Sequence, residues 1–495
     1  MKVTPDYQEF KRLSKKGNLI PVYSEVLSDG DTPFSLLERF KKEKHSILLE
    51  SITGGEHIAR YSFVGASPAK VIRSKGDLME VLSGGKKKTT KIKTDILDEI
   101  KSELSRYKYV SLKGLPRFSG GFVGYFSYDL VRYFENIPQS NPDKLSLYDL
   151  FLMEIRDLYI FDHIKQRSIL LTHVYTEKGD LKNLYDKALL KLKEMHKVLL
   201  KNVSASKSQL LKNNVKEGKF NSNFNKEDFL IKVKEIKKHI KNGDIIQAVL
   251  SQRFNRKSKV KDSQIYRWLR FINPSPYMFY LRCGDHSLIG SSPEVFVRCE
   301  DNIAELRPIA GTRKRGKDEN EDICLEKELL SDQKERAEHV MLLDLGRNDL
   351  GRVCKYGTVE VREKMVIEKY SHVMHIVSDV AGKLKKGKDM FDLIRAAFPA
   401  GTVSGAPKIR AMEIINELET ESRGPYAGAV GYFSYSGNMD TCITIRTIVK
   451  KGDAVYIQAG AGIVADSVPE REYQETINKA KALNKAVDLA EAAGS

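Results

Sequence analysis

Two pairs of glutamates, each pair three residues apart on an expected helix, are the chemically most informative feature of this 495-residue sequence. One pair is Glu335 and Glu338; the other is Glu472 and Glu475, on a helix expected to begin at Pro469. Residues at i and i+3 lie on one helix face, so each pair presents two carboxylates together. One such pair is usually an exposed, ion-paired face. Because this chain has two such pairs, a shared site for a hard cation such as Mg²⁺ is as well supported as two exposed, ion-paired faces.

A glycine-rich segment precedes the second acidic pair. The sequence predicts a buried strand that runs into a turn at Gly460, Ala461 and Gly462, where bare backbone N–H groups could approach an anion. The segment also fits the dinucleotide pattern G-x-G-x-x-A. That pattern requires a helix to open inside the glycines, whereas here the next helix is expected only at Pro469. An anion cradle beside carboxylates is therefore favoured over a nucleotide fold.

Further groups in the same half of the chain could bind an anion or transfer a proton. Arg446 lies in an expected strand from Cys442 to Thr447, where its guanidinium could grip a carboxylate with two hydrogen bonds. The other candidates are Gly311, Thr312, the loop 401–408 that enters a helix at Pro407, His372 and His375. A lone histidine is more often structural than catalytic. From the residues alone, we expect an α/β enzyme that acts on a small polycarboxylate with Mg²⁺.

Composition and charge exclude several classes of protein. Much of the net charge of +17 comes from lysines in short surface-like stretches, without an arginine-rich helix or an aromatic-studded basic strand, so we expect no nucleic-acid partner. Apolar runs stay below the roughly 18 residues of a membrane helix, and the first residues lack a signal-peptide core. The five cysteines form no C-x-x-C motif, which predicts reduced thiols and a cytoplasmic location.

The order of expected elements predicts a mixed α/β (α+β) fold in which two β-sheets pack as a sandwich with flanking helices. A polar stretch at 201–225 divides an N-terminal domain, 1–200, from a C-terminal domain, 226–495. Helices are expected after the cap residue Asn225 and over 325–344, 389–397 and 409–418. The segments 121–126 and 428–433 share the pattern Gly-x-Val-Gly-Tyr-Phe, which is too short to establish a repeat.

Taken together, the motifs resemble the chorismate-utilising enzymes and, among them, the anthranilate synthase component I family. They occur in the family's order through about 240 residues, and the first half matches at 48–51 and 60–65. The matching segments of the second half are 243–253, Ser292-Pro293-Glu294, 308–313, 335–349, Gly405-Ala406-Pro407-Lys408, 423–426 and 458–476.

The resemblance implies an enzyme that converts chorismate and ammonia to anthranilate and pyruvate, the first committed step of tryptophan biosynthesis. It implies Mg²⁺ as cofactor, held by Glu338 and Glu475, with Glu335 and Glu472 in support. Glu294 matches the family's general acid, and His375, rather than His372, matches the histidine of the pyruvate elimination. The implied chorismate contacts are Gly311, Thr312, Tyr426, Arg446, Gly460, Ala461 and Gly462, and the implied catalytic set also includes Gln247, Ala310 and Lys408.

Two positions distinguish this chain from relatives. Isochorismate and salicylate synthases resemble it but place a water-activating lysine where Gln247 stands. Aminodeoxychorismate synthases, the nearest rival assignment, often place a nucleophilic lysine where Ala310 stands. A glutamine cannot deprotonate water and an alanine cannot form a covalent intermediate, so the pair favours ammonia as nucleophile and anthranilate as product.

The resemblance also implies regulation and a partner. Glu50, Ser51, Pro276, Tyr277 and Met278 match the family's L-tryptophan pocket, although an aromatic strand in a core would be the usual explanation of these residue types. No cysteine lies in a nucleophile-elbow pattern, so use of glutamine would require a separate glutamine amidotransferase subunit (anthranilate synthase component II). The family implies a heterotetramer of two large and two small subunits.

Overall fold

The protein is described here as a computed structural model covering residues 1–27, 30–51, 60–93, 95–138, 141–177, 179–201, 215, 217–370 and 373–494. Its strands form two large sheets. In chain order they are β1 (Leu19–Val26), β2 (His45–Glu50), β3 (Tyr61–Ala66), β4 (Lys70–Lys75), β5 (Leu78–Ser83), β6 (Lys86–Lys91), β7 (Gly121–Phe126), β8 (Leu150–Ile155), β9 (Leu158–Asp162), β10 (Arg167–Tyr175), β11 (Asn221–Ser222), β12 (Gln247–Lys257), β13 (Tyr277–Cys283), β14 (His286–Ser292), β15 (Val295–Glu300), β16 (Ile303–Leu306), β17 (Ile309–Lys314), β18 (Glu360–Lys369), β19 (Val373–Lys383), β20 (Gly405–Ala406), β21 (Ala429–Ser434), β22 (Met439–Ile443), β23 (Thr447–Lys451) and β24 (Ala454–Ile463).

The helices carry the outer layers. They are α1 (Tyr7–Leu13), α2 (Pro33–Arg39), α3 (Ile96–Ser105), α4 (Leu181–Leu199), α5 (Lys226–Lys241), α6 (Asp262–Ile272), α7 (Glu319–Ser331), α8 (Gln333–Val353), α9 (Met390–Ala397), α10 (Lys408–Leu418) and α11 (Pro469–Gly494). Short 3₁₀ turns occupy Tyr128–Tyr133 and Gly401–Val403. Asn225 caps α5 by accepting the Asp228 N–H, as its residue type predicts. The expected helix over 325–344 is instead two helices, because Asp332 ends α7 and caps α8.

Each sheet draws strands from both halves of the sequence. The first sheet runs β1-β10-β9-β3-β2-β13-β14-β23-β24-β12-β11, with β20 beside β12; the second runs β17-β19-β16-β15-β22-β21-β7-β8-β4-β5-β6, with β18 beside β19. Both chain halves meet where β2 pairs with β13 and where β7 pairs with β21. The two segments with the shared glycine pattern are therefore direct neighbours, with Gly124 opposite Gly431. Most of the polar stretch, 202–214 and 216, lies outside the described residues.

The two sheets pack face to face, as the sequence predicts. Their shared core contains Ile47, Ile160, Phe279 and Leu288 from the first sheet, and Val71, Val123, Phe151 and Val430 from the second. Helices α4, α6 and α11 cover the outer face of the first sheet, while α3, α8 and α9 cover the second. This burial of both faces of each sheet is the main stabilising term of the fold. Across the described helices, no segment has the length and apolar character needed to cross a membrane.

Candidate active site

The glycine-rich segment lies inside a strand and not in a turn. Gly460, Ala461 and Gly462 belong to β24 and pair in register with Ser251, Leu250 and Val249 of β12. The expectation of a glycine turn was wrong because the strand ends only after Ile463. Strand β23, on the other side of β24, reaches only as far as Ile457, so the glycine segment has one edge without a neighbouring strand.

The backbone of the two glycines faces this open edge. The N–H groups of Val249 and Ser251 bond to Ser404 and Glu419, away from β24. Their partners Gly462 and Gly460 must therefore direct their own polar groups to the other side, since antiparallel ladders alternate. In agreement, the Gly460 carbonyl accepts a hydrogen bond from Lys479 Nζ at 2.9 Å. Two backbone N–H groups, those of Gly460 and Gly462, thus face the open edge of the strand.

Side chains packed close to Gly460 and Gly462 leave no room for a Cβ atom at either position. A Cβ at Gly460 would lie 2.7 Å from the Tyr426 hydroxyl oxygen, and a Cβ at Gly462 would lie 2.3 Å from Gln247 Nε2. Tyr426 and Gln247 are both buried, and Gln247 Oε1 has no hydrogen-bond partner among the described residues. Any side chain at these positions would displace the tyrosine or the glutamine, so the bare strand lets both groups reach the same edge.

Glu338 of α8 and Glu475 of α11 lie close enough for their charges to interact across the two helices. Burial and the negative charges of Glu335 and Glu475 raise the pKa of Glu338. Burial and Glu475 likewise raise the pKa of Glu472. Lys479 partly neutralises the cluster through an ion pair of 2.6 Å with Glu475. Burial and charge repulsion together raise the pKa values of Glu338 and Glu472, and a cation bound between the helices would offset the repulsion.

The donor set matches what Mg²⁺ takes in proteins. Among the described residues, no three acidic, histidine or cysteine side chains form a complete metal cage. Mg²⁺ is commonly bound through one or two carboxylates, several waters and oxygen atoms of a substrate. Glu338 and Glu475, one from each helix, meet that requirement, while Glu335 is held by Arg313 at 3.3 Å.

Glu294, at the entrance to β15, is a carboxyl group that favours its protonated form. Burial raises its pKa to about 7, and the positive charges of Arg446 and Lys479 offset only part of that effect. The residue is 8% exposed and lines a narrow cavity together with Thr402 and Asp349. Near neutral pH, Glu294 can therefore donate a proton to a leaving group.

Arg446 lies between β22 and β23 and not within a strand, contrary to the sequence-based expectation. Strand β22 ends at Ile443, and the backbone of Arg446 adopts a left-handed conformation with φ of 51°. A non-glycine residue in this region carries a conformational cost of about 1 kcal/mol or more, a cost often associated with functional sites. The half-buried guanidinium makes no hydrogen bond or ion pair with any described residue, although Glu294 and Glu475 lie close enough to influence its pKa. Among the described residues, it is a cation near Glu294 and Glu475 without a direct hydrogen-bond partner.

A bulge in β17 fixes the tautomer of His375. The register between β17 and β19 shifts between Ala310 and Thr312, where Gly311 takes a φ of 69°. His375 Nδ1 lies 3.0 Å from the Gly311 carbonyl oxygen and 3.0 Å from Thr312 Oγ1. A carbonyl only accepts, so Nδ1 carries the proton and Nε2 is left as the basic nitrogen. Burial lowers the pKa of His375, which keeps the ring neutral and able to accept a proton.

The remaining predicted residues take different positions. Buried Ala310 lies on β17 beside the bulge, paired with Ile376. The Ala461 N–H faces β12 in the ladder, not the open edge. Lys408 begins α10 and donates to Asp349 Oδ2 at 2.9 Å and to the Ala397 carbonyl at 2.8 Å. It therefore lies behind the cavity of Glu294, while His372 falls outside the described residues.

Sequence reasoning missed two residues around the site. They are Lys479, which bridges the acidic cluster and β24, and Tyr370, whose ring centre lies 5.6 Å from that of His375. Thr402, in the candidate loop 401–408, lines the same cavity as Glu294. The position of Lys479, four residues after Glu475, is a signal that could have revealed it, since such pairs lie on one helix face. Tyr370 carries no comparable signal, because tertiary packing alone brings it to the site.

A separate cavity of about 600 Å³ lies between the two sheets. All five residues matched to the effector pocket line it: Glu50, Ser51, Pro276, Tyr277 and Met278. Glu50 is anchored from outside by the Tyr266 hydroxyl at 2.5 Å and by Arg270 at 3.1 Å. On the opposite wall, Tyr277 donates to Asp440 of β22 at 2.8 Å.

Comparison with known proteins defines the class to which this fold and site belong. The model of the chorismate binding enzyme family matches residues 44–485. The chain is 48% identical over 491 residues to anthranilate synthase component 1 of Acetivibrio thermocellus, covering 98% of this chain and 99% of the relative. It is also 48% identical over 498 residues to that of Aquifex aeolicus, covering 99% of each. The chain is therefore a chorismate binding enzyme.

Within that class, the chain belongs to the anthranilate synthase component 1 family. The crystal structure of anthranilate synthase component I from Streptococcus pneumoniae superimposes with a TM-score of 0.77 at 37% identity, covering 86% of this chain and 92% of that one. A menaquinone-specific isochorismate synthase from Escherichia coli shares the fold, with a TM-score of 0.70 at 20% identity and coverage of 97% and 98%.

Proposed function

We propose that this protein is the large subunit of an anthranilate synthase, which converts chorismate and ammonia to anthranilate, pyruvate and water with Mg²⁺. The observation that carries the proposal is the guanidinium of Arg446, which no described residue pairs directly and which lies near Glu294 and Glu475 of the acidic cluster. Chorismate carries two carboxylates. One needs a cationic side chain, and the other can approach the negatively charged glutamates only if a metal ion lies between them. Arg446 supplies the first, and a cation on Glu338 and Glu475 supplies the second.

The substrate would be oriented by backbone and side-chain groups together. The outward amides of Gly460 and Gly462 and the hydroxyl of Tyr426 surround one edge of the site. Burial raises the pKa of Tyr426 to about 12, so its hydroxyl stays neutral and donates a hydrogen bond. We assign the enolpyruvyl carboxylate to Arg446 and the ring carboxylate to the glutamate side. Bound Mg²⁺ would neutralise the ring carboxylate and withdraw electron density from the ring.

Two proton transfers follow from the geometry. Glu294, protonated near neutral pH, donates to the hydroxyl group at ring carbon 4, which leaves as water while ammonia attacks carbon 2. The second transfer removes the proton at carbon 2 as the enolpyruvyl oxygen leaves carbon 3, giving pyruvate and the aromatic ring. His375 Nε2 is the basic group for this elimination, since its Nδ1–H is fixed on Gly311.

Two residues of the site favour ammonia over water as the nucleophile, because neither can activate water. Gln247 stands at the glycine edge with no acid–base function, and Ala310 offers no nucleophilic side chain. Ammonia is nucleophilic without a general base. These two residues support anthranilate over isochorismate or 4-amino-4-deoxychorismate as the product.

Ammonia would come from glutamine through a partner amidotransferase. The two proteins would form a heterotetramer of two large and two small subunits. Support for a separate amidotransferase comes from four of the five cysteines, since only Cys324 is exposed: Cys283, Cys299, Cys354 and Cys442 are buried, and burial raises the pKa of each thiol. Such thiols are poor nucleophiles for glutamine hydrolysis. Five free thiols and no disulfide among the described residues also favour a reducing compartment, and we propose that the enzyme acts in the cytoplasm.

L-Tryptophan is the proposed feedback inhibitor, bound in the cavity between the sheets. Glu50 and Ser51 would meet its polar end, and Pro276, Tyr277 and Met278 its ring. The cavity wall is joined to the active site through two strands. Asp440, bonded to Tyr277, lies on β22, which leads to Arg446; Arg298, 3.0 Å from the Tyr277 hydroxyl, lies on β15, which follows Glu294.

Ser51→Ala is expected to raise the tryptophan concentration for half-inhibition about fivefold to tenfold, because one hydrogen bond to the effector is lost. The value of kcat is expected to stay unchanged. Ser67→Ala, which alters an exposed serine bonded to Glu43, is the control. Inhibition curves with chorismate, Mg²⁺ and an ammonium salt provide the measurement, and an unchanged tryptophan response would remove this cavity as the effector site.

The proposed reaction is tested by its products. The full chain, incubated with chorismate, Mg²⁺ and ammonium, is expected to release fluorescent anthranilate and equimolar pyruvate. Formation of 4-amino-4-deoxychorismate without pyruvate would assign the rival activity instead. A salt-dependent gel shift with DNA or RNA at physiological ionic strength, without anthranilate formation, would replace the enzymatic proposal by nucleic-acid binding.

A further inference from the structure

His375 has a carboxylate neighbour that the proposed reaction does not yet use. In the ladder of β18 and β19, Glu368 is the direct partner of His375, and on the other side of β19 the partner is Thr312. Directly opposed residues in an antiparallel pair project to the same face of the sheet. Glu368 is thus placed beside the imidazole by the register of the sheet.

Both oxygens of Glu368 are engaged. Arg307 donates to Oε1 at 2.6 Å, and the Tyr370 hydroxyl donates to Oε2 at 2.7 Å. Tyr370, two residues after Glu368, is inclined at 63° to the imidazole ring of His375, with 5.6 Å between ring centres. The carboxylate is therefore fixed in place, and the ring that fixes it also packs against the histidine.

The charges around His375 act in opposite directions. From β17, Gly311 and Thr312 contribute only neutral polar groups, and from the connection after β22, Arg446 contributes a positive charge. Glu368 is the carboxylate whose charge favours the protonated ring. Burial raises the pKa of Tyr370, so this hydroxyl remains neutral and acts as a donor.

We propose that Glu368 is a positioning residue for His375: its negative charge stabilises the imidazolium formed when Nε2 takes the proton, and the hydrogen bond from Tyr370 partly compensates that charge. The inference rests on the proposed function of the site. It assigns to Glu368 the electrostatic support of a proton acceptor, with Nδ1 already fixed on the Gly311 carbonyl. No atom of Glu368 or Tyr370 needs to react.

The test is the pH dependence of kcat/KM for anthranilate formation, at a fixed concentration of free ammonia. His375 must be neutral to act, so activity falls as pH drops through its pKa. Glu368→Gln removes the negative charge, and the acidic limb is expected to move to lower pH by about half a unit, with kcat reduced about tenfold. A merely structural role would lower kcat without moving the limb.

Glu363→Gln is the matched control, since Glu363 also pairs with Arg307, at 3.2 Å, but lies away from His375 in the ladder. Its acidic limb is expected to coincide with that of the wild type. An equal shift in Glu363→Gln, or no shift in Glu368→Gln, would overturn the proposal. Thermal unfolding midpoints identify variants that fail to fold.

Tyr370→Phe gives a second, independent result should Glu368→Gln not fold. It keeps the aromatic ring and the carboxylate but removes the hydrogen bond that partly compensates the charge of Glu368. The acidic limb is therefore expected to move to higher pH, opposite to Glu368→Gln, and a move to lower pH would contradict the proposal. Wild-type protein that makes no anthranilate would instead refute the proposed function.

Discussion

Glu294→Gln is expected to lower kcat by about 10²- to 10⁴-fold, because a glutamine cannot protonate the departing hydroxyl group. The wild-type residue has its pKa raised to about 7 by burial, so its acidic form is lost as pH rises through that value. At fixed free ammonia, the wild-type kcat is therefore expected to fall on the alkaline side of about pH 7, and the variant's residual activity is expected to lack this limb. Steady-state anthranilate fluorescence against pH measures both.

The control for this change is Glu300→Gln, at the other end of the same strand, where the side chain pairs with Arg117. It is expected to retain wild-type kcat and the wild-type alkaline limb. The role of Glu294 as general acid would be refuted by a Glu294→Gln variant that turns over at the wild-type rate. An alkaline limb that persists in a slow variant would assign the limb to another group.

Glu338→Gln is expected to raise the Mg²⁺ concentration for half-maximal activity at least about tenfold and to reduce kcat at saturating metal. An amide is a weaker ligand for Mg²⁺ than a carboxylate. Burial raises the pKa of Glu338, and so do the charges of Glu335 and Glu475, which both lie near it. Protons compete with the metal for a group whose pKa is raised. The Mg²⁺ requirement of the wild type is therefore expected to increase as pH falls. Activity measured against Mg²⁺ at several pH values tests both statements.

Glu475→Gln is expected to behave like Glu338→Gln, whereas Glu470→Gln, on the exposed side of the same helix, is expected to match the wild type. Calorimetric titration of the free protein with Mg²⁺ provides a readout that does not depend on turnover. If both Glu338→Gln and Glu475→Gln retain the wild-type Mg²⁺ response, the metal does not bind between α8 and α11.

Local sequence signals located most of the helices that carry the site. Asn225, Asp389 and Pro469 lie at the starts of helices because their side chains or ring geometry favour these positions. The i, i+3 spacing correctly indicated that each glutamate pair shares a helix face. These predictions succeed because capping and helical periodicity depend on residues a few positions apart.

The failures involve contacts between distant segments. The glycines of β24 were expected in a turn, because glycine alone does not reveal that β12, more than 200 residues earlier, pairs with them. Arg446 was expected in a strand, since its apolar neighbours follow a strand pattern while its positive φ is imposed by the surrounding fold. Hydrophobic periodicity alone predicted one helix over 325–344, whereas Asp332 ends α7 and caps α8.

The sequence by itself determined the mixed fold class, the acidic pairs and the family to which the chain belongs, since these follow from local patterns and motif order. Tertiary structure decided which of these groups share one site. In the folded protein, the N–H groups of Gly460 and Gly462 lie at an open strand edge, and the Arg446 guanidinium has no direct partner among the described residues. A bulge places the Gly311 carbonyl next to His375 Nδ1, which leaves Nε2 as the basic nitrogen. The reason is that burial, strand register and unpaired charge arise only when segments far apart in the chain pack together.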